Sequence, residues 1–106
     1  MFFLKKPLIT VVIPAYNHDR FIAQAIESVL NQTYRHLNVL VIDDGSTDRT
    51  GEIAKSYTDP RLTYIYQENQ DAFNTLNRGI RMATGEYISI LNSDDVYTPN
   101  RLERLL

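Results

Sequence analysis

Leu37-Asn38-Val39-Leu40-Val41-Ile42 runs without a break into Asp43-Asp44-Gly45-Ser46-Thr47-Asp48. The aliphatic run has only one polar member, the pattern of a strand buried on both faces of a parallel sheet. The polar stretch after it reads as a turn, in which Gly45 takes a positive φ and Ser46 or Thr47 caps a helix carrying Ile53, Ala54 and Tyr57. Upstream, Leu8 to Ile13 repeats the buried-strand pattern and is closed by Pro14. Between the two strands, Ile22, Ala25, Ile26, Val29 and Leu30 recur at intervals of three and four. That spacing predicts a helix with His18 or Asp19 at its cap and an end near Gln32.

Downstream the alternation continues. Asp59-Pro60 makes a turn, because the residue before proline is pushed out of the helical region, and Leu62 to Tyr66 follows as a third strand. Asp71 to Ala83 predicts a helix with Ala72, Leu76, Ile80 and Ala83 on one stripe and Gly85 as a left-handed stop. Tyr87 to Leu91 is a fourth strand. Asn92-Ser93-Asp94-Asp95 is a loop, and Thr98-Pro99 reads as cap and first turn of a helix that is still amphipathic at Leu106. Strands alternating with helices predict an α/β domain, a mostly parallel sheet with helices on both faces joined by right-handed crossovers. Residues 1–106 form one such domain, and the unfinished last helix leads to the expectation that the natural chain continues.

Composition narrows the function classes. The chain is 43% hydrophobic and 23% charged, which suits a globular domain and neither a disordered tail nor a fibrous repeat. A net charge of −2 argues against a nucleic-acid partner. The absence of cysteine excludes disulfide scaffolds, cysteine-ligated zinc and thiol nucleophiles. Met1-Phe2-Phe3-Leu4 is too short for a signal peptide and reads as a locally packed end of a cytoplasmic protein. No apolar run approaches the roughly 20 residues needed to cross a bilayer, so membrane association is expected only through parts outside this sequence.

Ligands of open parallel sheets bind beyond the carboxyl ends of the strands. The rim so defined holds Pro14-Ala15-Tyr16-Asn17, Asp43-Asp44, Gln67-Glu68-Asn69-Gln70 and Asn92-Ser93-Asp94-Asp95. An acidic pair at a strand end stays ionised only where a cation or several donors compensate it. Asp94-Asp95 therefore suggests a Mg²⁺ or Mn²⁺ site completed by phosphate oxygens, against the alternative of a solvated, helix-capping turn. Asp43-Asp44 offers acceptors to a nucleobase or ribose, against the alternative of turn chemistry alone. Tyr16 is placed to stack on a base, although packing would explain it equally. His18 and His36 read as solvated surface residues, with no ligand-spaced partner.

Val12-Ile13-Pro14-Ala15-Tyr16-Asn17, Ser28-Val29-Leu30-Asn31-Gln32-Thr33-Tyr34, Val41 to Asp48, Asn77-Arg78-Gly79-Ile80, Ala83 to Ile88 and Ser93-Asp94-Asp95 resemble, in order and spacing, the family 2 glycosyltransferases. The resemblance covers nearly the whole chain and implies the Rossmann-like, nucleotide-sugar-binding half of a GT-A domain. It implies that Pro14, Ala15 and Tyr16 line the nucleotide, with Asn17 and Asn77 in the same set. Asp44, with Asp43 beside it, would meet the base. Asp94 and Asp95 look like the Asp-x-Asp-type motif that holds ribose, diphosphate and Mn²⁺ or Mg²⁺, with Asp95 the direct ligand. Two departures stand out: Asn92 where many relatives are acidic, and Leu76 where many carry Arg or Lys before the Asn.

The activity implied is metal-dependent transfer, with inversion, of a sugar from a nucleotide diphosphate sugar, a UDP-sugar favoured, to a hydroxyl of a glycan or glycoconjugate acceptor in polysaccharide synthesis. The general base would lie beyond Leu106. Two other readings compete with it: a nucleotide-binding module without catalysis, and a receiver-type signalling domain. The receiver needs its acidic pair after the first strand, where Pro14-Ala15-Tyr16-Asn17 stands instead. A sheet edge left unpaired makes self-association a further expectation.

Overall fold

The computed structural model describes residues 6–106, so the reading of Met1 to Leu4 as a packed end falls outside the described residues. Strands β1 (Ile9–Ala15), β2 (Leu37–Asp44), β3 (Leu62–Gln67) and β4 (Tyr87–Ile90) alternate with helices α1 (Ile22–Leu30), α2 (Thr50–Lys55), α3 (Ala72–Met82) and α4 (Arg101–Leu105). All four strands lie in one parallel sheet of order β3-β2-β1-β4. The α/β architecture read from the sequence is the one observed.

That order explains the helix layers. The step from β1 to β2 and the step from β3 back across to β4 run in opposite directions, so right-handed crossovers send α1 and α3 to opposite faces. Ile9, Val11, Ile13, Val39 and Val41 pack with Ile22, Ala25, Ile26, Val29 and Leu30 of α1, Ala54 of α2 and Leu102 of α4. The alternate residues Val12, Leu40 and Ile42 form the second cluster, closed by Ile65 and Leu76. Each fully buried Ile or Val contributes about 1.5–3 kcal/mol of burial, which is why the two-sided strands read so clearly. Among the described residues no helix is long and apolar enough to cross a membrane.

The differences from expectation have local causes. Pro14 does not close β1, which runs on to Ala15. Val12 points its carbonyl at β4, where Leu91 N–H donates to it, and Pro14 faces the same way two residues later, past the last paired residue of β4. Its missing N–H therefore breaks no ladder bond. Asp43 and Asp44 are strand, not turn, paired with Ala15 of β1 and with Tyr66 and Gln67 of β3. Gly45, at φ +79°, makes the turn as expected. The cap of α2 is the Asp48 carboxylate, which accepts from Thr50 N–H and hydroxyl, instead of Ser46 or Thr47.

At α1 neither the His18 nor the Asp19 side chain caps the helix; the His18 carbonyl accepts from Phe21 and Ile22 instead. At α4 the expected Thr98 cap is replaced by the Gln32 side chain, which donates to Thr98 C=O and accepts from Leu102 N–H. The stripe of α3 that meets the sheet is Thr75, Leu76 and Gly79, while Ala72 and Ile80 are exposed. Gly85 has no positive φ; a Cβ there would stand 2.6 Å from Thr10 N, so glycine lets the loop cross β1 closely.

Gly79 lets α3 lie close against the sheet. A Cβ at Gly79 would lie 2.4 Å from Val12 Cγ1. Gly79→Val should therefore destabilise the fold by about 1–3 kcal/mol, read as a lower urea midpoint. An unchanged midpoint would show that α3 can rise off the sheet without cost.

Candidate functional site

The sheet order reverses between β1 and β4, since β1 leads outward through β2 while β4 returns on the other side. Loops leaving these two strands diverge and open a crevice at their carboxyl ends. A cleft of about 510 Å³ lies there, lined among others by Pro14, Ala15 and Tyr16 after β1, Asp44 at the end of β2, and Asn92, Ser93 and Asp94 after β4. Its size is that of a small-molecule site. Of the residues singled out in the sequence, these bring Pro14, Ala15, Tyr16, Asp44 and Asp94 together.

Successive strand residues point to opposite faces, and that separates the first acidic pair. Asp43 turns to the α2 face, where Oδ1 accepts from Ser46 N–H at 2.9 Å and Oδ2 from the Tyr64 hydroxyl at 2.6 Å. Burial, and after it this bond to a carboxylate, push the Tyr64 hydroxyl well above its usual pKa. Asp43 thus holds the turn rather than lining the cleft. Asp44 turns to the α3 face and is 5% exposed. Its Oδ1 accepts from Gln67 Nε2 at 2.9 Å and Gln70 N–H at 2.8 Å, and its Oδ2 has one long contact, 3.3 Å, from Asn69 Nδ2. Three donors hold this carboxylate, which among the described residues belongs to no ion pair, and Oδ2 retains accepting capacity.

Asn17 also lies outside the cleft lining. Held at φ 50°, it accepts from Thr47 N–H through Oδ1, tying the loop after β1 to the turn after β2. Asp48 braces the same two loops: burial works to raise its pKa, but hydrogen bonds from Thr50 and Asp19 outweigh it and lower the value. Asn77 is half-buried on α3 and does not line the cleft. Leu76, one of the two departures noted from the family pattern, packs against the sheet.

The second acidic pair sits on the loop after β4. Asp94 is exposed and lines the cleft, with no hydrogen bond to its carboxylate among the described residues. Asp95, one residue further, accepts from Val96 N–H through Oδ1 at 2.8 Å and is not part of the lining. Among the described residues no group of three or more metal-ligating side chains assembles. The exposed carboxylate of Asp94 and the neighbouring Asp95 fit a hard cation that takes its remaining ligands from phosphate and water, and not a cage built by the protein alone.

Some lining residues escaped the sequence reading. His18 is half-buried in the lining, its Nδ1 2.7 Å from Ser93 Oγ, so the surface role read for it is corrected. Asn69, Asp71, Ala72 and Thr75 close the α3 side. Asn69 and its neighbours were visible as a strand-end segment, whereas the His18–Ser93 contact joins loops 75 residues apart and has no local signal.

Residues 10–106 match the family model described as glycosyl transferase family 2. An uncharacterized glycosyltransferase of Rickettsia typhi is 44% identical over 97 residues, covering 92% of this chain and 30% of that protein. Glycosyltransferase GlyG of Streptococcus pneumoniae is 42% identical over 101 residues, covering 92% and 34%. Among solved structures, S. aureus TarS in complex with UDP superposes with a TM-score of 0.85 at 26% identity, covering 92% of this chain and 30% of that one. The mannosyltransferase PcManGT of Pyrobaculum calidifontis, in complex with GDP-Man and Mn²⁺, gives a TM-score of 0.80 at 32% identity, covering 92% and 30%. The chain spans about a third of the length of these relatives. A model match over nearly the whole chain excludes a receiver domain, and together with the cleft at the strand ends it establishes that the chain belongs to glycosyl transferase family 2.

Proposed function

We propose that this domain binds the nucleotide diphosphate sugar of an inverting, metal-dependent glycosyl transfer, with a UDP-sugar as the favoured donor. The observation that carries the reading is the span of one cleft, from a buried carboxylate with an open oxygen, Asp44, to an exposed carboxylate, Asp94, with Tyr16 on the same wall. Asp44 Oδ2 accepts a hydrogen bond from a base N–H such as uracil N3–H, a contact that a neutral acceptor would make more weakly. Tyr16, 49% exposed on the lining, offers its ring to the base. Solved structures similar to this chain, in complex with UDP and with GDP-Man and Mn²⁺, support nucleotide binding by this domain.

Asp94 and Asp95 would hold Mn²⁺ or Mg²⁺ together with the diphosphate, and the cation supplies neutralisation of the charge that develops on the leaving group. The residues of this chain hold the donor: Asp44 orients the base, Asp94 faces ribose and diphosphate, and Pro14 and Ala15 form the floor. In a one-step inversion a base must deprotonate the acceptor hydroxyl from the face opposite the leaving diphosphate. No residue described here is assigned that task. The acceptor, a glycan or glycoconjugate hydroxyl, is placed with it outside this cleft.

Titration of the chain with UDP-GlcNAc, GDP-mannose, UDP and uridine in the presence of Mn²⁺ tests the reading. The diphosphates should bind at least roughly tenfold more tightly than uridine, because a cation between carboxylates and diphosphate adds charge-assisted contacts that the nucleoside lacks. Equal binding of uridine and UDP, or no binding of any nucleotide, would refute it.

A further inference from the structure

We propose that Gln67 and Arg78 are positioning residues for Asp44, fixing which of its oxygens faces the cleft and thereby the preference for a base that carries an N–H donor. This rests on the reading of Asp44 as the base contact. Gln67 is 6% exposed at the end of β3 and uses its whole amide. Its Oε1 accepts from Arg78 Nη1 at 2.8 Å, while its Nε2 donates to Asp44 Oδ1 at 2.9 Å and to Thr75 Oγ1 at 3.0 Å.

The chemistry leaves the amide one orientation. Guanidinium only donates and carboxylate only accepts, so the oxygen of Gln67 must face Arg78 and its nitrogen must face Asp44. Thr75 agrees: its hydroxyl donates to Asp71 C=O at 2.8 Å and so is free to accept from Gln67. With Gln67 and Gln70 N–H both on Oδ1, that oxygen is filled, and Oδ2 is left to the cleft. The positive charge of Arg78 reaches Asp44 through the polarised amide and not by an ion pair; among the described residues neither group belongs to one. Removing Arg78 leaves the amide oxygen without its donor, so the amide is held only through Asp44 and Thr75 and can tilt, which loosens the aim of the carboxylate.

The test is a pair of calorimetric titrations, UDP and CDP, on the wild-type chain and on Arg78→Met, Arg78→Lys, Gln67→Leu and Asp44→Asn, each checked for folding by its thermal melt. UDP carries the N3–H donor and CDP an acceptor in its place, so the ratio of their affinities reports the aim of Asp44 independently of general damage. Arg78→Met and Gln67→Leu should lower the UDP-to-CDP ratio by roughly threefold to tenfold, the worth of one misdirected hydrogen bond. Arg78→Lys, which still donates to Oε1, should keep the ratio within about twofold of wild type. Arg78 is half-buried at the cluster's edge, so the Met and Lys pair decides the matter even if Gln67→Leu fails to fold. Equal weakening of UDP and CDP in Arg78→Met, or no change, overturns the positioning role while Asp44→Asn still levels the ratio. A ratio unmoved by Asp44→Asn overturns the base contact itself, and the positioning role with it.

Discussion

Asp44→Asn is expected to weaken nucleotide binding by roughly tenfold to a hundredfold, with or without metal, the loss of a charge-assisted hydrogen bond worth about 1.5–3 kcal/mol. The surrounding donors dictate how the new amide must sit. Gln67 Nε2 and Gln70 N–H both point at one position, so the asparagine oxygen must stay there. Its NH₂ then takes the place of Oδ2 and turns a donor towards a base that also offers a donor. Because the buried donors stay satisfied, the fold should lose little stability, and the effect belongs to the ligand. Asp43→Asn should behave in the opposite way. Its oxygens serve Ser46 N–H and the Tyr64 hydroxyl on the other face, so it should lower the melting temperature while binding changes less.

Asp95→Asn carries the second large effect. Replacing a charged oxygen ligand by a neutral one of the same size should remove most of the enhancement that Mn²⁺ gives to UDP binding, on the order of tenfold or more, and leave binding in chelator nearly unchanged. Its position one residue beyond the cleft lining, with Oδ1 held by Val96 N–H, leaves Oδ2 as the oxygen to be offered. Asp94, the residue before it, lines the cleft.

The strands were legible because β1 and β2 are buried on both faces, and burial on both faces leaves few polar residues to blur the run. The same logic failed at Asp43 and Asp44. Two adjacent carboxylates look like a turn to any local reading, yet both are paired strand residues, and most of their donors, Gln67, Asn69, Gln70 and Tyr64, lie more than twenty residues away. Helix α1 was read with its five buried residues correct, since an amphipathic stripe is a local signal. Its N-terminal cap was not, because the His18 carbonyl takes that place, nor was that of α4, because Gln32 reaches across to Thr98 and Leu102 from another element.

The cleft followed the same division. Pro14, Tyr16, Asp44 and Asp94 group together in the sequence by the rule that strand ends share a rim. What that rule lacks is the alternation of faces, which sends Asp43 away from Asp44. Nor does it see Gly79, whose missing side chain brings α3 down onto Val12 and sets Thr75 against Gln67. His18 was misread for want of its partner, Ser93, in the distant loop.

Calorimetric titration of UDP into the wild-type chain, Asp44→Asn and Asp95→Asn, each with Mn²⁺ and again with chelator, tests most directly the claim that one cleft holds base and diphosphate at opposite ends. The account predicts that Asp44→Asn is weakened in both conditions by a similar factor, whereas Asp95→Asn matches wild type in chelator and fails to gain from Mn²⁺. Identical metal dependence in the two variants, or wild-type affinity in Asp44→Asn, would contradict it.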